Sequence, residues 1–199
     1  MAWPRDAPDE NEKSVKEGAP LGLTHEDIHG GNFMFGPLME GPEHSTTPIL
    51  KLIDFGLSRL WPGNTHSSGA TCQQFNVLDI GIMMASLILL QTHAKYTGEP
   101  IEVDLSKVGR PAATETPASG FLPDITLSPN EDPCPQINFD LRCVIAACLA
   151  SDPELRPTLE ELETWAFSEV CKAYPGGATW ESDEMIEKII QACIFDAEC

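Results

Sequence analysis

The chain has 199 residues, 42% of them apolar, with 12 basic against 31 acidic side chains and a formal charge of −19. That length and apolar content suffice for one domain with a tail, and the charge argues against nucleic acid and anionic membrane surfaces as partners. A free nucleotide would be repelled too unless a divalent cation accompanied it. Residues 1–20 are charged, Pro-punctuated and without hydrophobic period, which predicts a poorly structured N-terminus. A short strand or turn, Leu21-Gly22-Leu23, leads into Thr24-His25-Glu26-Asp27-Ile28-His29-Gly30-Gly31-Asn32. Short apolar runs at 33–36 and 49–54, separated by a loop rich in Gly, Pro, Ser and Thr, predict two strands of a hairpin. Such a hairpin returns the chain, so that Asn32 and Asp54 lie on the same open side. Residues 57–74 read as loop.

From about residue 75 to 92 the chain is apolar almost all round, which predicts a buried central helix; the run is too short, and interrupted by Asp79, for a membrane span. A buried Asp79 requires partners, for which backbone N–H groups of a neighbouring loop are suited. Residues 94–136, rich in Pro, Gly, Thr and Ser, predict irregular structure with a short helix or two. A second buried helix is expected from Phe139 to Leu149. Thr158 and Glu161 form a capping box opening a third helix through Trp165 and Val170 towards Pro175. A last amphipathic helix, from about Ser182, carries Met185, Ile186, Ile189, Ile190 and Cys193 on one stripe. Core packing is the default for that stripe and a partner-binding face the alternative. The seven cysteines are odd in number and form no Cys-x-x-Cys pair. With no signal peptide apparent, they suggest a reducing intracellular setting, cytoplasmic or nuclear.

The pattern that carries chemistry is an aspartate followed five residues later by asparagine (Asp27, Asn32), then an aspartate at the end of an apolar strand (Asp54). Phosphoryl transfer needs a carboxylate to orient or deprotonate the attacking hydroxyl, and hard oxygen ligands for Mg²⁺. On these residues the chain resembles the C-terminal lobe of protein kinases. His25-Glu26-Asp27-Ile28 with Asn32 looks like the catalytic loop, and Asp54-Phe55-Gly56 like the magnesium-binding D-F-G. Asp79-Ile80-Gly81 resembles part of the lobe's central helix, and Cys148-Leu149-Ala150-Ser151-Asp152-Pro153-Glu154-Leu155-Arg156-Pro157-Thr158 its late C-L-x-x-D-P-x-x-R-P-T segment.

The resemblance implies an α+β, mostly α fold: a kinase-like C-lobe over residues 21–175, with the C-terminal helix of 176–199 packed on it. It implies ATP and Mg²⁺ as cofactors and a protein substrate or partner. Asp27 would be the base, and Asn32 and Asp54 the metal ligands. His29 would stand where a lysine often contacts the transferred phosphate. His25 and Phe55 would pack as a spine beside Gly56, Asp79 would hold the catalytic-loop backbone, and Arg156 would be structural. The chain departs from the pattern where Glu26 replaces an arginine that pairs with phosphate, and where residues 57–78 hold no acidic partner for Arg156. Residues 1–22 hold no Gly-rich loop or strand lysine. The resemblance therefore implies a truncated or degenerate kinase, weak or inactive as this chain stands, with a noncatalytic scaffold as alternative. A small-molecule kinase of the aminoglycoside or choline type shares the Asp27, His29 and Asn32 spacing. His25-Glu26-Asp27-Ile28-His29 also matches the H-E-x-x-H zinc motif, which would need a helix that Gly30-Gly31 ends at once.

Overall fold

The computed structural model describes residues 21–38, 48–90, 96, 98–123, 132–170 and 182–192. The described part of the chain is mixed α/β rather than mostly α, with four α-helices and three antiparallel strand pairs. The sequence underestimates strand because most strands here have three or four residues, too few to establish an alternation against Gly- and Pro-rich surroundings.

Strand β1 (Leu21–Thr24) pairs with β4 (Arg59–Pro62), and β2 (Phe33–Phe35) pairs with β3 (Leu50–Leu52). The β2–β3 pair is the expected hairpin; the middle of its connection, 39–47, lies outside the described residues. Strand β4 corrects the expectation of a loop over 57–74. Its four residues become a strand through a partner more than thirty positions away, and Pro62, which cannot donate to a ladder, stands at its end. In β1 the alternation is inverted: Gly22 and Thr24 face inward and Leu21 and Leu23 are exposed. Gly22 is required by proximity, since a Cβ there would collide with Asn64 Oδ1 and Cys72 Sγ.

Helix α1 (Cys72–Ile88) starts three residues before the expected position because Thr71 and Gln74 cap it reciprocally. Gln74 N–H donates to Thr71 Oγ1 (3.2 Å) and Thr71 N–H to Gln74 Oε1 (2.8 Å). The expected extension to 92 stops at Ile88, and Leu90 takes a left-handed φ of 52°; residues 91–95 lie outside the described residues. Among the described residues no helix is long and apolar enough to cross a membrane.

Helix α2 (Phe139–Cys148), capped by Asn138, packs across α1 and is buried from Arg142 to its end. Between them the expected irregular structure includes one short 3₁₀ helix (Ser106–Val108) and, in addition, a hairpin of β5 (Ile101–Val103) and β6 (Thr114–Thr116) that the sequence did not signal. It closes the core with Val103 and Leu105, and buried Thr116 donates from Oγ1 to Ala146 O at 2.8 Å. Phe121, Tyr96, Ala85, Ile145 and Leu149 fill the centre. Arg142 is buried at its edge, where it forms a bidentate pair with Asp132 (2.6 and 2.7 Å) and donates to Phe121 O. That pairing satisfies a charge which burial alone would make costly.

Helix α3 (Leu159–Val170) opens with the predicted box: Thr158 N–H donates to Glu161 Oε2 (2.7 Å) and Glu161 N–H to Thr158 Oγ1 (3.1 Å). Arg110 holds Glu161 from outside the helix. Its expected continuation towards Pro175 lies outside the described residues. Helix α4 (Asp183–Ile190) begins after Ser182, its N-cap, and exposes Met185 and Ile189; Cys193 lies outside the described residues. Cys72, Cys134, Cys143 and Cys148 are buried and free, and burial pushes the Cys148 thiol up to about 12.

Two expectations follow. At Gly81 a Cβ would lie 2.8 Å from Cys148 Cβ and 3.0 Å from Leu149 Cδ2. Gly81→Ala gains about 1 kcal/mol of helix propensity but overpacks the α1–α2 contact at about 1–3 kcal/mol. Net destabilisation by chemical denaturation is therefore expected, with Gly81→Val worse. The hydrogen bond from Arg142 holds the Asp132 carboxyl below its ordinary value. Its contribution is present above the unfolded pKa and is lost as pH falls through the lower folded one. Thermal stability should therefore drop below about pH 4, and Asp132→Asn should reduce that dependence while lowering stability at neutral pH.

Candidate active site

The residues singled out by the sequence gather where the β1 loop meets the end of β3. After β1 the chain turns through Glu26 at φ 62°, a left-handed conformation uncommon for a residue with a side chain. Residues 30–32 form one 3₁₀ turn, and Phe33 enters β2. Within this loop the buried Asn32 side chain reaches back five residues. Its Nδ2 donates to Asp27 O (2.8 Å) and to Asp27 Oδ2 (2.9 Å). The spacing therefore closes a ring that fixes the carboxylate against its own backbone. His29 Nε2 lies 3.5 Å from the same Oδ2, while His29 Nδ1 accepts Gly31 N–H at 3.1 Å. With Nδ1 an acceptor, the neutral ring carries its proton on Nε2, facing Asp27. Gly31 leaves room for that ring, since a Cβ there would lie 2.9 Å from His29 Cε1.

The register of β2–β3 continues one step past the strands: Ile53 N–H donates to Asn32 O at 2.9 Å. Asp54 follows immediately and is also left-handed, φ 59° and ψ 72°. Aspartate tolerates this region because its side chain can bond to local backbone, and here Asp54 Oδ1 accepts Gly56 N–H at 3.1 Å. A Cβ on Gly56 would sit 3.0 Å from that oxygen. The expected arrangement, Asn32 and Asp54 at one end of the hairpin, is thus present in the backbone. Asn32 and Asp54 each carry a side-chain oxygen suited to a hard cation. Among the described residues no group of three His, Cys, Asp or Glu could hold a metal by itself.

His25 is buried and pairs with Phe55 edge to face at 4.7 Å, although Phe55 remains 54% exposed. Its Nε2 donates to Ile53 O at 3.1 Å, and its Nδ1 is buried without a protein partner. The zinc-motif geometry is not formed. Residues 25–29 are not helical, so His25 and His29 do not share a helix face, and His25 Nε2 faces a carbonyl.

The loop backbone is held by a residue that the sequence reading overlooked. Asn76, on the first turns of α1, accepts His25 N–H at Oδ1 (3.0 Å) and donates from Nδ2 to Leu23 O (2.8 Å). It thereby makes the two backbone bonds that a further strand would have offered. A polar residue on the face of α1 shared with Asp79, three positions on, was the available signal. Asp79 is buried, and its charge acts on the Arg156 guanidinium. Arg156 donates to Ala150 O (3.0 Å) and Gln74 O (3.2 Å), so it bridges the segment after α2 to the start of α1. Burial lowers the Arg156 pKa, against the raising effect of Asp152 and Asp79.

No protein-family model matches this chain, and no curated protein matches it.

Asn76→Ala removes both loop bonds and strands the His25 N–H. A loss of about 2 kcal/mol is expected, with faster amide exchange at His25. Unchanged exchange there would contradict this role for Asn76.

Proposed function

We propose that this chain carries the base and metal half of a magnesium-dependent phosphotransferase site, with ATP as donor and a protein hydroxyl as acceptor. The observation that carries this reading is the contact of Asp27 with Asn32, combined with the backbone bond to Asn32 from Ile53, the residue before Asp54. The fold proposed with it is a protein-kinase-like C-terminal lobe. It is supported by the order of the parts: strand, catalytic loop, hairpin, left-handed aspartate, returning strand and buried helix.

In this reading Asp27 accepts the proton of the acceptor hydroxyl. The Asn32 amide and the His29 ring both meet Oδ2, which leaves Oδ1 as the oxygen for the acceptor. Fixing the base in this way serves positioning, on which phosphoryl transfer chiefly depends. The His29 ring, half exposed beside Asp27, is placed to donate to a phosphoryl oxygen. The Asn32 carbonyl and Asp54 carboxylate are oxygen donors of the kind Mg²⁺ accepts, and Mg²⁺ commonly takes one or two protein oxygens together with water and substrate phosphates. When bound, Mg·ATP supplies the phosphoryl group, and the metal offsets charge that this acidic chain would otherwise repel.

Phe55 and Leu57, just after Asp54, are exposed, as are Met34, Phe35 and Leu50 along the β2–β3 pair. They are the surface on which a cover for the nucleotide would rest, and without such a cover transfer is slow. The same apolar surface favours, as a second reading, a noncatalytic module that docks a partner there.

Calorimetry separates the two. The first reading expects ATP binding that requires Mg²⁺, weakened at least about tenfold, roughly 1.4 kcal/mol, in Asp54→Asn and in Asn32→Ala. Absence of binding at millimolar ATP would contradict it and leave the docking module.

A further inference from the structure

We infer that Glu26 is a positioning residue: its carboxylate clamps the 59–66 segment to the loop carrying Asp27, so that this segment is held without any phosphate. The role in catalysis rests on the reading of Asp27 as the base; the clamp itself does not. Glu26 keeps a left-handed backbone at φ 62°, and such a conformation persists where its surroundings over-determine it. The determinants are visible around its side chain, which is only 18% exposed.

Thr24 Oγ1 donates to Glu26 Oε1 at 2.9 Å, Arg59 Nε lies 3.1 Å from Oε2, and His66 Nε2 lies 3.9 Å from Oε1. Thr24 is fully buried and in turn accepts the Trp61 Nε1–H at 2.8 Å. Two residues of β4, Arg59 directly and Trp61 through Thr24, therefore converge on one carboxylate. The His66 ring stacks on Phe75 of α1 (centroids 4.0 Å apart) and meets Trp61 edge to face at 4.9 Å. His66 Nδ1 takes the Ser68 N–H, so the neutral ring turns its Nε2–H towards Glu26. The clamp joins β1, β4 and the start of α1 around Glu26.

Its polarity decides what can regulate it. The anion is on the loop; Arg59 and His66 face it from the segment and Thr24 from β1. Between residues 57 and 71 Arg59 is the sole Lys, Arg, Asp or Glu, so the segment brings one fixed positive charge to Glu26. A phosphate on Thr65, Ser67 or Ser68 would introduce a second anion close to this carboxylate and would be repelled. Phosphorylation there is thus expected to loosen the segment, and free phosphate to leave it unchanged.

The test is backbone amide exchange on the whole chain, comparing wild type with Glu26→Gln, Arg59→Gln, the double variant and Arg59→Lys. Each Gln variant should speed exchange over residues 59–66 about fivefold, the scale of a partly exposed ion pair. The double variant should be no faster than either single one, and Arg59→Lys should restore most of the protection. Inorganic phosphate should leave the wild-type rates unchanged but slow exchange in Glu26→Arg. Fully additive effects, or wild-type protection that rises with phosphate, would overturn the clamp. If Glu26→Gln does not fold, the Arg59→Gln and Arg59→Lys comparison and the phosphate titration of wild type still decide. Mg·ATP titrated into the same samples keeps the claims apart: a wild type that binds none overturns the phosphotransferase reading, whatever the exchange rates show.

Discussion

The backbone of one residue, Ile53, ties the candidate site together. Ile53 donates its N–H to the carbonyl of Asn32 and accepts at its own carbonyl from His25 Nε2. These two bonds fasten both ends of the 25–32 loop to the strand end that delivers Asp54. If the register slipped by one residue, Ile53 and Asp54 would exchange places and faces, and the bond from Ile53 N–H to Asn32 O would be lost. The side chains of the site then only complete what the backbone has aligned: Asn32 bonds Asp27, and Asp54 bonds Gly56 across its own turn. Both loops contain a left-handed residue with a side chain, Glu26 and Asp54, and both are stabilised there by bonds to nearby groups rather than by glycine. Backbone conformations of that kind are concentrated where geometry serves function.

Electrostatics set the second constraint. A chain of charge −19 repels a nucleotide at long range, so the proposed ATP site would depend on a cation more than a site on a neutral protein would. Inside the loop the balance is local. Glu26 is compensated by Arg59 and hydrogen-bonded by Thr24, which keeps a second carboxylate, adjacent in sequence to Asp27, from adding an uncompensated negative charge to the site.

The parts legible in the sequence are those in which local signals agree. Helices α1 and α2 are legible as long apolar runs, and α3 by its capping box at Thr158 and Glu161. Asp27 and Asn32, singled out by residue type and spacing, are in contact. Strands β4, β5 and β6 were not legible, because a run such as Arg59-Leu60-Trp61-Pro62 or Thr114-Glu115-Thr116 becomes a strand only through its partner. Asn76 was passed over for a related reason: its importance lies in meeting the edge of β1, some fifty residues earlier in the chain. Burying the Asp79 charge is costly, whereas Asn76 is marked only by sharing that face of α1. The inward-facing Gly22 and Thr24 likewise reverse what Leu21 and Leu23 suggest, since Trp61 and Cys72 occupy the space that larger side chains would need.

The most direct test of the account replaces Mg²⁺ by paramagnetic Mn²⁺ and follows amide signals by NMR in the presence of ATP. Broadening confined to residues 27–32 and 53–56, and abolished by Asp54→Asn, is the predicted result. It would place the cation at the junction built by Ile53. Broadening spread along acidic surfaces such as Glu160, Glu161 and Glu163 of α3, and unchanged by Asp54→Asn, would contradict it. The carboxylates would then attract cations only through the overall charge of the chain.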